Sequence, residues 1–163
     1  MGIFTFQLPA ICDELVTEKA IDEFTIGSPN QSAKQILNGL DSSDLFESPI
    51  KDKRMAKCCL SGVWLLHHFL YESHEISQEI PTSEGSYWHG IMHRMERDYW
   101  NSKYWYRQVG DHTVYRSVGD DWDPHLFVDQ CEEAEANGDL ASVQPIAATE
   151  WKCLFEYCYL NAT

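Results

Sequence analysis

His89 and His93 stand four residues apart in SYWHGIMHRMERDYW, a spacing that in a helix stacks the two imidazoles on one face, with Cβ atoms about 5–6 Å apart. Such a pair can share a metal ion or an anionic ligand. Glu96 falls on the same stripe, and the upstream segment HHFLYESHEISQE adds His68, Glu72 and His74. Imidazoles and carboxylates suit zinc, iron, nickel or manganese, and three protein ligands leave positions open for water and substrate. The spacing nominates His68, His89, His93 and Glu96 as ligands of a divalent metal. Glu72 or His74 would then handle the proton while the metal polarises substrate or activates water. The HxxxH pattern is weak on its own, because both the glutamate of HExxH and the paired ExxH elements of a carboxylate-bridged di-iron bundle are missing. The competing reading is structural: His68 and Glu72 form an ordinary i,i+4 pair, and His67 satisfies itself on a tyrosine hydroxyl or a backbone carbonyl.

Charge singles out the same region. Residues 86–116 carry five Lys/Arg against three Asp/Glu, whereas residues 117–163 carry one against ten, and the whole chain has a formal net charge of -14. Arg94, Arg97 and Arg107 are therefore expected to hold an anionic group of a small substrate, with Trp88 and Tyr104 lining the pocket. The alternative is that these cations neutralise acidic segments packed beside them. Overall acidity argues against a duplex nucleic acid as partner. Neither G-x-G-x-x-G nor a P-loop occurs, so no nucleotide cofactor is expected. The leading function is a small metal-dependent enzyme acting on an anionic substrate. Two others stand beside it: a non-catalytic binding protein for an aromatic or anionic metabolite, and an acidic scaffold.

The elements positioning these residues read as helices. With 163 residues, 44% of them hydrophobic, the chain suits one all-α domain, a bundle of about five helices with an antiparallel central pair. Residues 1–52 supply N-terminal helices near 10–24 and 32–40 and a link, and residues 53–163 the core bundle. Met55, Cys59, Val63, Leu66 and Leu70 predict one long helix over 53–78, ended by Pro81. The SYWHGIMHR segment then returns against it. Asp123-Pro124 starts another helix, stopped at Asn137-Gly138. Thr149 caps the last. The six cysteines form no CxxC pair, and the first twenty residues do not read as a secretory leader, so reduced thiols in a cytoplasmic compartment are expected. Apolar runs are broken before membrane-spanning length.

Quoted together, GSYWHGIMHR and NSKYWYR, with FLYESHEISQEI, WDPHLFVDQCEEA and EWKCLFEYCY, make the chain resemble a family of uncharacterised proteins over about residues 55–160. That resemblance implies no activity. More loosely the chain is similar to DinB-like metal-binding bundles, which use one upstream histidine and a later HxxxH pair. The analogy implies ligand roles for His68, His89 and His93, although the first separation is shorter here than that topology uses.

Overall fold

The computed structural model describes residues 3–163. Among them are nine α-helices and no strand, which corrects the expectation of about five helices. They are α1 (Glu18–Asp22), α2 (Lys34–Asn38), α3 (Lys53–Leu66), α4 (Leu70–Ser77), α5 (Ser83–Met95), α6 (Tyr99–Val109), α7 (Val114–Val118), α8 (Pro124–Ala136) and α9 (Gln144–Ala162). The extra helices come from caps that cut longer periodic stretches. Thr17 is extended and its hydroxyl accepts from the Ala20 amide, so the expected helix over 10–24 shrinks to a 3-10 turn at Ala10–Cys12 followed by α1. Thr82 caps α5 in the same way. Asp123 accepts from the His125 and Leu126 amides with Pro124 at the first helical position. Thr149 caps nothing: α9 begins five residues earlier, and the Thr149 hydroxyl donates back to the Pro145 carbonyl.

Two breaks decide where the functional side chains go. The expected helix over 53–78 ends at Leu66, where His68 takes a left-handed backbone (φ 61°). The His68 amide donates to the Leu65 carbonyl and the Phe69 amide to that of Trp64. This is the hydrogen-bond pattern of a Schellman stop, completed by the edge contact of Phe69 on Trp64. α5 ends alike, with Arg97 at φ 70° and the Asp98 amide donating to the His93 carbonyl. Asp98 then caps α6 through the Asn101 amide. Glycine normally fills such a position because any Cβ crowds the left-handed conformation. Here His68 and Arg97 occupy it.

The buried apolar side chains, from Cys12 near one end to Ala162 at the other, form one core. α5 lies at its centre. Ser77 and His74 of α4 meet His89 and His93 in descending order, so α4 and α5 run antiparallel. Ser102 and Tyr106 of α6 likewise meet Gly90 and Tyr87, which makes α5 and α6 a second antiparallel pair. α3 crosses α5 where Gly62 faces the Trp88 indole, and a Cβ on Gly62 would stand 2.7 Å from that ring. The Gly62 carbonyl also accepts from the Trp151 indole N–H of α9. Gly62→Ala is expected to destabilise the fold by about 1–3 kcal/mol, since Trp88 is enclosed and cannot retreat. Urea denaturation followed by tryptophan fluorescence would measure it.

Candidate metal centre

α4 and α5 bring three histidines together: His74 from the first, His89 and His93 from the second. One ligand nitrogen from each lies within 4.8 Å of the others, close enough to share one ion. The rings are 4.5 Å (His74–His89), 4.8 Å (His89–His93) and 5.7 Å (His74–His93) apart between centroids. His89 and His93 are buried, while His74 opens onto a surface groove of about 450 Å³ between α4 and α5. Trp105 of α6 covers His89 with its ring 4.0 Å away.

Hydrogen bonds select the tautomers. Ser77 Oγ lies 3.3 Å from the His74 carbonyl oxygen and 3.2 Å from Nδ1 of His89; with its proton on the carbonyl, the hydroxyl accepts from Nδ1–H and Nε2 of His89 keeps its lone pair. His93 Nδ1 lies 2.6 Å from Oε1 of Glu96, and a carboxylate can only accept, so Nδ1 carries the proton and Nε2 is again a donor to a metal. The Asn101 amide nitrogen is almost equally far from both ring nitrogens of His93, 3.3 and 3.2 Å. It sits over the ring face rather than in line with either lone pair. A carboxylate that grips the far nitrogen of a ligating imidazole fixes its orientation and raises its basicity. A second group, His93 with Glu96 and Asp98, also has its ligand atoms within 4.8 Å of one another, on the solvent side.

Burial, followed by the neighbouring His93 and His74, pushes His89 down to about 3. It is therefore neutral near pH 7 and ready to donate. In the unfolded chain the same group takes a proton near pH 6.5. A folded-state value below the unfolded one means that the unfolded chain binds more protons between the two, so stability falls as pH drops from about 6.5 towards 3. His67, lowered by burial, acts in the same direction. The metal-free protein should lose up to about 1.4 kcal/mol per pH unit for each such group. Urea midpoints between pH 7.5 and 4 would show it, with a shallower loss in His89→Gln.

No family model, curated protein or solved structure matches this chain.

Of the residues nominated from sequence, His89, His93 and Glu96 come together, and His74 joins them as a third nitrogen donor. His68 does not. Its ring lies against Gly27 and Phe24, and its Nδ1 is buried without a hydrogen-bond partner. Glu72 pairs with Lys34 of α2, whose ammonium also covers the Trp64 and Phe69 rings. Arg94 turns into the core, pairing with Glu150 and donating to Tyr106. Arg97 pairs with Glu135 on α8. Arg107 is exposed and lies over the half-exposed Tyr104 ring. Trp88 is wholly enclosed. Three further residues stand around the centre: Ser77, Asn101 and Trp105. Ser77 stands three residues after His74, a helical spacing at which a hydroxyl can reach back to a carbonyl.

Two further histidines are accounted for structurally. His67 places Nε2 2.8 Å from the Leu15 carbonyl and Nδ1 3.1 Å from the Asn30 amide. His112 accepts the Val114 amide at Nδ1, so its Nε2–H donates to Glu84, 3.3 Å away. That hydrogen bond holds the Glu84 carboxyl below its ordinary range despite burial. All six cysteines are unpaired. Among the described residues no helix is long and apolar enough to cross a membrane.

Proposed function

We propose that His74, His89 and His93 hold a divalent metal and that the chain is a small metal-dependent enzyme whose substrate enters along the groove between α4 and α5. One observation carries this reading. Two of the three imidazoles have Nδ1 within hydrogen-bond reach of an anchoring side chain, Ser77 and Glu96, an arrangement that turns Nε2 to a ligand role in side chains already gathered within one coordination sphere. A cluster serving only to satisfy its own hydrogen bonds has no need to bring a ring nitrogen from each of three histidines within 4.8 Å of the others. Three histidines with an open face suit zinc, and the same donors serve iron, nickel or manganese. A divalent ion there supplies Lewis acidity, polarising a substrate oxygen or lowering the pKa of a water. The chain's own part is to orient and to accept a proton. Ser77 and Glu96 hold the two buried imidazoles in place, Trp105 screens His89 from water, and the groove carboxylates Glu75 and Glu96 take up the released proton.

Titration of the metal-free protein with cobalt(II) tests the proposal through the visible absorption of the ion. A one-to-one endpoint with the intense bands of four- or five-coordination, reversed by zinc, is expected. Weak octahedral bands without an endpoint would refute it. Glu96→Gln should retain the site but weaken it by about 10–100-fold, since the far-nitrogen partner of a ligating histidine typically contributes that much. Competition with a chromophoric chelator would give the figure.

A further inference from the structure

Building on the metal-centre reading, we propose that the groove selects a small organic cation with an apolar body, an arylalkylamine in chemical class, and disfavours anions.

The groove is poor in cations. α4 contains no Lys or Arg, α5 contains only Arg94, and the link from α5 to α6 contains only Arg97. Arg94 is buried with Glu150, and Arg97 reaches away to Glu135. On α6, Lys103 is paired with Asp129, and Arg107 lies over Tyr104. None of these Lys and Arg side chains lines the groove. Acids remain on both of its sides. Glu75 of α4 and Glu96 after α5 line it, and Asp98 stands within reach of Glu96 and His93. The chain as a whole carries a formal charge of -14, which outweighs the two positive charges a bound divalent ion would add, so the long-range field also attracts cations and repels anions.

The rest of the lining is apolar. Leu70 and Met92 contribute aliphatic surface, and Tyr71, 71% exposed, offers an aromatic face at the edge. A large aromatic held so far into solvent on an ordered helix is suited to cover a ligand's ring or attract its ammonium. The two chemistries fit one ligand with three parts. A neutral oxygen or nitrogen faces the histidines, an apolar ring lies on Leu70, Met92 and Tyr71, and an ammonium meets the acidic rim at Glu75 and Glu96. The anion-binding role expected for Arg94 and Arg97 is taken up by their own carboxylate partners.

A matched pair of probes decides the matter: tyramine and 4-hydroxyphenylacetate share a phenol and differ in the sign of the side-chain charge. Binding to the zinc-loaded protein is measured by NMR shift perturbation of the Leu70 and Met92 methyl groups, at fixed ionic strength. Tyramine is expected to bind at least tenfold more tightly, and Glu75→Gln to reduce that preference to under threefold. Equal affinities, a preference for the anion, or no tyramine binding at millimolar concentration would overturn the proposal. Zinc content is determined on the same samples, and the pair is measured on the metal-free protein as well. Failure to hold zinc would sink the metal centre by itself, while the charge preference of the metal-free groove would still decide the ligand class.

Discussion

Glu150→Ala is expected to lower the stability of the protein by about 3–5 kcal/mol, the usual cost of leaving one member of a buried ion pair without its partner. Arg94 and Glu150 are almost wholly enclosed, at 3% and 0% side-chain exposure. The guanidinium lies 2.5 Å from Glu150 Oε2 and donates to the Tyr106 hydroxyl at 3.0 Å, and that hydroxyl donates to Glu150 Oε1 at 2.6 Å. Phe127 of α8 covers the guanidinium, 4.7 Å from its ring centre. Every strong polar partner of this arginine is therefore internal, and water cannot replace the carboxylate without opening the core. Arg94→Met combined with Glu150→Leu should recover most of the loss, because replacing both charges removes the desolvation cost together with the attraction. Urea denaturation followed by circular dichroism gives all three values. A loss below about 1 kcal/mol for Glu150→Ala would mean that the pair is open to solvent.

This network also bears on the site. Arg94 stands next to His93 and five residues after His89 on α5, and it ties that helix to α6 and α9. It fixes the rotation of α5 about its axis, so that one face meets the core and the other presents the imidazoles to His74.

The second large effect is on metal affinity. His93→Ala is expected to weaken zinc binding by more than about 100-fold, exceeding what loss of an outer-shell partner alone costs. The fold should survive, because the groups left behind are accessible: Glu96 is exposed, and Asn101 is only partly buried. Both can turn to water. A purely structural histidine would show the opposite pattern, a marked stability loss with no change in metal content. Zinc affinity from chelator competition and urea midpoints, measured on the same variant, separate the two.

Much of this centre is legible in the sequence, and the part that is not has a definite cause. The i,i+4 spacing of His89 and His93 survives because α5 is unbroken between them. Read as one helix, residues 53–78 put His68 in the place of the third histidine. The chain stops at Leu66 with a histidine in the left-handed position, where neither Gly nor Asn announces the stop. That turn rephases α4, directs Glu72 to Lys34 and brings His74 over His89. Its trace in the sequence is the hydrophobic pair Trp64 and Phe69, five apart, which accompanies such stops but also occurs inside helices. Arg94 was legible as a cation in a basic segment. Its partner lies 56 residues away on another helix, a distance at which spacing carries no information. Asp123-Pro124 shows the converse: cap and proline are adjacent, and the helix begins where they predict.

The most direct test of the three-histidine centre is elemental analysis of the purified, untagged protein by inductively coupled plasma mass spectrometry, alongside His74→Ala and His68→Ala. Near-stoichiometric zinc, iron, nickel or manganese that is lost in His74→Ala and kept in His68→Ala is the predicted result. Metal absent from the native protein and not restored by reconstitution, or lost on changing His68 but not His74, would contradict it.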